Sequence, residues 1–264
     1  MSGLTKKPLY IYSIRRVVSG YTGPGIRVRR NATAVTQDFY YDSVTGELDS
    51  AAIVSFVGVG NIGYVNLWYD QTGNGNHLGL PSSAYPVAGR EPRIVISNSI
   101  VTKNGKIALS FGTSFSNLRS LPTLSIPIND LSLFIVCANN TTSTNQRAIV
   151  IGNTIFPRVS NDSSDYFSYA GADRLILGNS DTSNKIYSSL ATPIEISAWK
   201  NNVLVSAPSA QSSTSVGAQI VVGVNVGTGT QLFNGTIQEI LIYRGDVPAR
   251  YSITSEMMSY YSIT

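Results

Sequence analysis

Short apolar runs, some alternating with polar residues and some continuous, recur along the whole chain and are separated by Gly, Asn, Ser and Pro. Alternation over four to eight residues predicts a half-buried β-strand, and a continuous run of that length predicts a fully buried one. No regular alternation of strands with helices accompanies these runs, so the pattern predicts an all-β, two-sheet antiparallel sandwich. The clearest predicted strands are 25–29, 63–69, 93–97, 106–111, 131–138, 148–152, 166–169, 174–177, 185–190, 194–199, 202–206, 219–224 and 235–243.

Two segments have helical rather than strand periodicity. The first is Leu48–Val57, which has a capping residue in Asp49 and ends at Gly58. The second begins after Asp246 with Pro248 in its first turn. Its apolar stripe contains Tyr251, Ile253, Met257, Met258 and Tyr261 and is expected to pack against a sheet.

Composition supports one β domain. The chain has 264 residues, of which only 13% are charged, and no stretch looks like an interdomain linker, so we expect a flexible arm at 1–7 and a single domain at 8–264. No apolar run is long enough for a membrane helix. No signal peptide is recognised, and the single cysteine, Cys137, cannot form an internal disulfide, which together favour synthesis in a reducing cytoplasm.

Charge is distributed unevenly along the chain. The first 37 residues carry +7 and no acidic residue, whereas the remainder has 12 basic and 15 acidic residues, a net −3. Such a basic block could dock on an acidic partner. Alternatively, Arg27 and Arg29 form the solvated face of a strand whose other face is Ile26 and Val28. No nucleic-acid-binding module accompanies the block, so nucleic acid is an unlikely partner. The candidate docking residues are Arg15, Arg16, Arg27, Arg29 and Arg30.

One loop stands out as a candidate binding site. An aromatic strand end runs into a turn in which Gly73 and Gly75 permit a positive φ. Its polar groups could bind sugar hydroxyls, and an aromatic ring could stack on a sugar. Its side-chain oxygens could also be ligands for Ca²⁺. No other cofactor or metal is expected. The alternative is a tight turn whose side chains bond their own backbone. The candidate glycan-binding residues are Trp68, Tyr69, Asp70, Gln71, Asn74, Asn76 and His77.

The same loop carries a resemblance to a known family. The run Tyr69-Asp-Gln-Thr-Gly-Asn-Gly-Asn76 is similar to a hallmark of the catalytic domain of fungal arabinofuranosidase B-type enzymes, whose fold is a lectin-like jelly roll. Segments 12–16, 21–30 and 48–52 resemble the start of that domain, and still more its relatives in structural proteins of tailed phages. The segment 233–243 resembles the last strand of laminin-G-like jelly rolls. The resemblance implies a concanavalin A-like jelly-roll sandwich.

The resemblance also implies a catalytic pair, which the sequence matches poorly. Retaining glycosidases need two carboxylates about 5 Å apart. The family's nucleophilic glutamate has its nearest counterpart in Asp173, a weak candidate, and the segment 223–230 that should contain the acid/base aspartate has no acid. The other acids give no better pair, because Asp162 and Asp165 are expected to be solvated and Glu239 lies within a strand.

These observations favour a non-catalytic structural protein of a tailed-phage virion. We expect it on the capsid as decoration or head fibre, or on the tail as fibre or baseplate component, bound to other virion proteins and to further copies of itself in a homo-oligomer. Contact with host-surface polysaccharide is compatible with that location. Two alternatives remain, a glycoside hydrolase of arabinofuranosidase type and a stand-alone carbohydrate-binding module.

Overall fold

A computed structural model gives the fold. It describes residues 6–80, 90–112, 116–120, 124, 126–127, 129–142, 146–152, 154–159, 164–169, 173–210, 216–217, 219–224 and 232–264. Within these ranges, the side chains of 127, 154–159, 166–169, 173–176, 206–210 and 216–217 are not described.

The chain forms 23 strands and two helices in the described residues. The strands are β1 Tyr10–Ser13, β2 Pro24–Arg30, β3 Thr36–Tyr40, β4 Gly63–Trp68, β5 Leu78–Gly79, β6 Arg93–Ile96, β7 Ser99–Ile100, β8 Thr102–Lys103, β9 Lys106–Ile107, β10 Leu109–Phe111, β11 Leu118–Ser120, β12 Ile126–Pro127, β13 Leu131–Asn139, β14 Gln146–Ile151, β15 Thr154–Val159, β16 Ser164–Tyr169, β17 Asp173–Asn179, β18 Lys185–Ala191, β19 Glu195–Lys200, β20 Val203–Ala210, β21 Val216–Gly217, β22 Ile220–Val222 and β23 Gly235–Arg244. The helices are α1 Ser50–Val57 and α2 Arg250–Tyr260.

Strand pairing confirms the predicted antiparallel sandwich. One sheet is centred on β13 and β23, which pair along nearly their whole lengths; β18, β19 and β20 extend it on one side. On the other side of β23 lie β1 and β10, followed by β6, β4, β2 and β3. The second sheet runs β5, β11, β22, β14, β15, β16, β17. The pairing of β4 with β5 joins the two sheets.

Burial of both faces explains the continuous apolar runs. All nine residues of β13 are buried, as are the first nine of β23. One face of these strands meets the second sheet. The other is covered in part by α2, whose Ile253 and Met257 are buried in the same apolar core. Central strands covered on both faces lose the alternating pattern that a half-solvated strand shows.

Both predicted helices are present, with two differences in α2. Pro248, predicted in its first turn, lies before the helix, which begins at Arg250 after the N-cap residue Ala249. The Asp49 side chain accepts a hydrogen bond from the Ala52 backbone N–H (2.9 Å), and Gly58 ends α1 at φ +76°. In α2, Tyr251 is 57% exposed and not part of the apolar contact. No helix among the described residues has the length and hydrophobicity needed to cross a membrane.

Two of the five candidate docking residues are buried and are not available to a partner at the surface, whereas docking by the other three stays a prediction. Arg15 and Arg29 are buried and form ion pairs, Arg15 with Glu239 and Arg29 with Glu91. The other three candidates also have internal partners: Arg27 bonds Asp38, Arg16 bonds the Ser43 carbonyl and Arg30 bonds the Phe56 carbonyl. Ile26 and Val28 are fully buried, as the strand interpretation predicted, but only Arg27 of the opposite face remains partly solvated.

The described residues bear only in part on the predicted N-terminal arm (1–7) and the predicted single domain (8–264). Residues 1–5 of the predicted arm fall outside them, and Lys6 donates a hydrogen bond to the Asp246 carbonyl. The extent of the single domain stays a prediction.

Candidate functional site

The loop after β4 divides into an inward and an outward half. Trp68, Asp70 and Gln71, which were candidate glycan-binding residues, are at most 2% exposed. The Trp68 indole N–H donates to the Ser13 carbonyl at 3.2 Å. These three side chains therefore hold β1 and the segment that follows it in place, and they are not accessible to a ligand at the surface.

Asp70 stabilises both its own turn and β1. Its Oδ1 accepts hydrogen bonds from the backbone N–H of Ile11 and of Thr72, each at 3.0 Å, and its Oδ2 accepts one from the Thr72 hydroxyl at 2.6 Å. Burial raises the pKa of this carboxyl, and the hydrogen bonds from Thr72 and Ile11 oppose that rise.

Gln71 connects the loop to the chain that follows β1. Its Oε1 accepts from the Val17 backbone N–H at 2.8 Å, and its Nε2 donates to the Arg15 carbonyl at 2.7 Å and to the Tyr41 hydroxyl at 2.8 Å. A buried amide with all these bonds acts as a structural crosslink.

The outward half brings together polar and aromatic groups. The Tyr69 hydroxyl donates to Asp38 at 2.8 Å, and its ring contacts the His77 ring edge-on, with centroids 4.7 Å apart. Asp38 also forms a two-bond ion pair with Arg27. The hydrogen bond from Arg27 and that from Tyr69 lower the pKa of Asp38 despite partial burial. Asn74 is exposed and Asn76 partly buried, so glycan contact by this half stays a prediction.

His77 is held as a neutral hydrogen-bond acceptor. Its Nδ1 accepts from the Asp70 backbone N–H at 3.1 Å, which places the imidazole proton on Nε2. Burial lowers its pKa; the nearby Asp70 carboxylate opposes this shift, and Arg27 acts in the same direction as burial. No group of three or more His, Cys, Asp or Glu side chains suited to a metal ion occurs in the described part of the chain. Calcium binding by this loop stays an untested expectation.

Glu239 lies at the junction between β23 and the closing helix. One oxygen of its buried carboxylate, Oε2, accepts hydrogen bonds from the Ser13 hydroxyl, Arg15 Nε and the Tyr261 hydroxyl, each at 2.8 Å. The Arg15 guanidinium also reaches Glu256 on α2 at 3.0 Å. These bonds join β23 to the end of β1, to the residues just after it and to the residue that follows α2, so we interpret the cluster as structural.

Asp165 is a further buried carboxylate, and its burial was not predicted from the sequence. Asp165, expected in a solvated loop, is 1% exposed at the start of β16. It faces the other sheet, where it accepts a hydrogen bond from the Tyr187 hydroxyl and pairs with the Lys200 ammonium at 3.3 Å. The sequence did not predict this burial, because the Ser, Asn and Asp residues around 160–165 are typical of a surface loop.

Asp181 joins the same polar region at one end of the sandwich. Asn139 donates to Asp165 at 3.5 Å and to the Ser180 hydroxyl at 3.1 Å, and the next residue, Asp181, pairs with buried Lys185 at 2.6 Å. Although partial burial would raise it, hydrogen bonds from Lys185 and Ser183 lower the pKa of Asp181 to about 2. The Asp181 side chain is 56% exposed. We call Asn139, Asp165, Ser180, Asp181, Lys185, Tyr187 and Lys200 the Asp165 cluster.

Asp173, the weak catalytic candidate, lies at the far end of the β16–β17 hairpin. Its backbone pairs with Tyr169 near the hairpin turn, while Asp165 pairs with Gly178 at the open end. Five residues of strand correspond to roughly 16 Å, which is too long for a catalytic pair made of Asp165 and Asp173. The side chain of Asp173, and residue 162, lie outside the described part of the structure, as do residues 225–231 of the segment lacking an acid.

Comparison with known proteins gives a clear likeness in fold. No protein-family model matches the chain, and no curated protein matches it in sequence. A GH54 α-L-arabinofuranosidase soaked with a cyclic sulfate inhibitor superposes with a TM-score of 0.64 at 14% identity, covering 97% of this chain and 62% of that one. An arabinofuranosidase complexed with arabinofuranosyl-α-1,2-xylobiose gives 0.65 at 14% identity, with 97% and 63% covered. Trypanosoma rangeli sialidase with sialic acid gives 0.53 at 8% identity, with 74% and 31% covered.

These likenesses confirm the jelly-roll sandwich and correct the functional expectation. The chain spans about three-fifths of the length of the arabinofuranosidases that it matches. The structures matched over almost the whole chain are glycoside hydrolases, which contradicts the interpretation as a non-catalytic virion protein and the prediction that the chain is not an enzyme. The predicted resemblance is confirmed for the β-sandwich fold, which the arabinofuranosidases and the sialidase share. No link to phage proteins is shown.

Proposed function

We propose that this chain is a glycoside hydrolase of the arabinofuranosidase type. The observation that carries the proposal is the superposition of 97% of the chain on solved arabinofuranosidases. Because one fold can host many functions, the proposal also needs groups able to do the chemistry. The Asp165 cluster supplies one exposed carboxylate, Asp181, at one end of the sandwich; the acid/base partner of a retaining pair is not assigned.

Asp181 fits the role of the carboxylate that must be ionised. In the retaining mechanism such a carboxylate attacks the anomeric carbon as the bond to the leaving oxygen breaks, and water then releases the sugar from the carboxylate. With the aryl glycoside used below, the aglycone leaves as 4-nitrophenolate with the electron pair of the broken bond. With a pKa of about 2, Asp181 is ionised at neutral pH, and its exposure lets a sugar reach it. The pairing with Lys185 fixes its orientation.

Asp165 acts as a positioning residue in this proposal. Its carboxylate holds the Tyr187 hydroxyl and the Lys200 ammonium, and Asn139 links it to Ser180 beside Asp181. Because Asp165 is 1% exposed, it contacts the sugar less readily than Asp181. Replacing it by Asn would release Lys200 while preserving side-chain size.

The test is hydrolysis of 4-nitrophenyl α-L-arabinofuranoside, followed by release of 4-nitrophenolate. We expect activity in the unchanged chain and a fall in kcat of at least about 100-fold in Asp181→Asn, in the range reported for loss of a catalytic carboxylate or acid–base group. Asp130→Asn is the matched control, because Asp130 is also an exposed carboxylate paired with a cation, Arg244. Circular dichroism checks that each variant is folded.

Two outcomes would contradict the proposal in different ways. If the unchanged chain releases no product from the aryl glycoside or from arabinan, the chain is not an arabinofuranosidase. If Asp173→Asn abolishes activity and Asp181→Asn does not, the activity stands and the assignment to Asp181 is wrong.

A further inference from the structure

The outer face of β2, β3 and β4 carries a second set of ligand-type groups. On β3, Phe39 points into the core while its neighbours Asp38 and Tyr40 point outward. The Asp38 side chain is 27% exposed, and Tyr40 is 56% exposed. Arg27 lies directly opposite Asp38 in the β2–β3 register.

Hydrogen bonds fix the polar groups of this face in one arrangement. Arg27 Nε and Nη2 donate to Asp38 Oδ1 and Oδ2 at 2.7 and 2.9 Å. Tyr69 donates to the same carboxylate, and the Tyr69 ring supports His77. His77 uses Nδ1 for the Asp70 backbone, so its Nε2–H is the group it can offer to a ligand. We call Arg27, Asp38, Tyr40, Tyr69 and His77 the outer patch.

We propose that the outer patch is a binding site for a neutral glycan, separate from the Asp165 cluster. A sugar ring stacks on the exposed Tyr40 ring, and its hydroxyls bond the Asp38 carboxylate and the Nε2–H of His77. Sugar hydroxyls both donate and accept, so a carboxylate acceptor beside an imidazole donor matches them. The aromatic ring supplies the apolar contact, with a polar rim that fixes orientation.

Charge selects a neutral ligand over a charged one. Within the patch the positive Arg27 is balanced by Asp38, and His77 is held neutral by the bond to its Nδ1. An anionic glycan would meet the Asp38 carboxylate, and a cationic ligand would compete with Arg27 for it. Neither gains a net attraction from the patch.

The site is independent of the proposed catalytic cluster in position. The outer patch lies on β2, β3 and the β4–β5 connection, whereas the Asp165 cluster lies where β13, β17 and β19 end and where β16 and β18 begin. A glycan bound at the patch would keep a polysaccharide on the protein. Binding at the patch does not need hydrolysis, and the two can therefore be tested separately.

The experiment is affinity electrophoresis of the unchanged chain through gels containing soluble arabinan, arabinoxylan, mannan or dextran. We expect retardation by at least one of these neutral polymers and at least a tenfold weaker association for Tyr40→Ala. Tyr40→Trp keeps an exposed ring and should retain binding. Tyr251→Ala is the matched control, because Tyr251 is a tyrosine of equal exposure (57%) on α2, and it should bind as the unchanged chain does.

Two results of the electrophoresis would contradict the proposal. Absence of retardation in all four polymers, or equal loss in Tyr40→Ala and Tyr251→Ala, shows that the outer patch does not bind a neutral glycan. Hydrolysis of the small aryl glycoside is measured on the same variants and should be unchanged in Tyr40→Ala. Failure at the patch is thereby distinguished from failure of the proposed catalytic function.

Discussion

Asp70 connects the loop after β4 to the first strand. Its buried carboxylate receives three hydrogen bonds, two from backbone N–H groups and one from a hydroxyl. In Asp70→Asn one oxygen becomes an NH₂ group that faces donors instead of accepting from them. We expect the free energy of unfolding to fall by about 2–3 kcal/mol, measured by urea denaturation.

The control for this substitution is another aspartate with the same local bonding but full exposure. Asp42 accepts hydrogen bonds from the backbone N–H of Val44 and Thr45 at the surface. Because water replaces a lost bond there, Asp42→Asn should change the free energy of unfolding far less than Asp70→Asn does. Equal effects of the two substitutions would show that the Asp70 bonds do not hold β1.

The sequence predicted the turn around Asp70 but not the direction of its side chains. Gly73 and Gly75, at φ +80° and +74°, identify the turn from residue type alone. The partners of Asp70 and Gln71 are Ile11 and Val17, more than 50 residues away. Local pattern contains no information about such distant donors, so buried Asp70 and Gln71 looked like solvent-facing ligand groups.

Asp181 gives a pH dependence with a definite sign. Its pKa is lowered from 3.8 to about 2 in the folded chain, so its ion pair contributes stability that is complete above its ordinary pKa and is lost as the pH falls towards 2. We expect Asp181→Asn to be less stable than the unchanged chain at pH 6 and equally stable near pH 2. Urea unfolding at the two pH values measures this, and a difference that persists at pH 2 would contradict it.

At the scale of elements, α1 depends on its N-terminal cap. Asp49 satisfies the Ala52 N–H, one of the four backbone donors that the first turn leaves without an intrahelical partner. Asp49→Ala should lower the free energy of unfolding by about 1 kcal/mol, and Asp49→Ser should restore most of it. Thermal or urea unfolding compares the three proteins. A loss that Ser does not restore would show that the aspartate acts by something other than capping.

The attachment of α2 depends on Glu239. Glu239→Gln removes the charge opposite Arg15 while leaving Arg15 buried, and breaking a buried pair in this way costs about 3–5 kcal/mol. Glu256→Gln is the control, because Glu256 contacts the same arginine from a side chain that is 39% exposed. It should cost less than about 1 kcal/mol. Similar losses for both would mean that burial of Glu239 is not what matters.

Elements with a strong local signal were predictable and the others were not. The cap at Asp49 and the stop at Gly58 placed α1 within two residues of its observed start and at its observed end. By contrast, β3 has the sequence Thr-Gln-Asp-Phe-Tyr with one buried residue, Phe39. A strand at the edge of the sheet buries so few apolar residues that its sequence shows no clear strand pattern. Tyr40, which lies on β3, was therefore not among the predicted binding residues.

At the scale of the whole molecule, the sequence pattern predicted the sandwich but not the position of the Asp165 cluster. Runs such as 131–138 and 235–243 are apolar throughout because both faces of β13 and β23 are covered. The Asp165 cluster forms only when β16 of one sheet meets β18 and β19 of the other. Its members are spread over 139–200 without a shared spacing, so only the packed sheets bring them together.

The single thiol offers a test of whether the whole sandwich unfolds as one unit. Cys137 is 2% exposed in β13, and burial raises its pKa strongly, so the folded chain should hardly react with a thiol reagent. Labelling then requires β13 to separate from β18 and β23, which is loss of the central sheet. We expect the opening free energy from the labelling rate, measured across urea concentrations below the transition, to equal that from equilibrium unfolding followed by circular dichroism. A markedly smaller value from labelling would show that the sheet around β13 opens separately, and would contradict the prediction of one domain over 8–264.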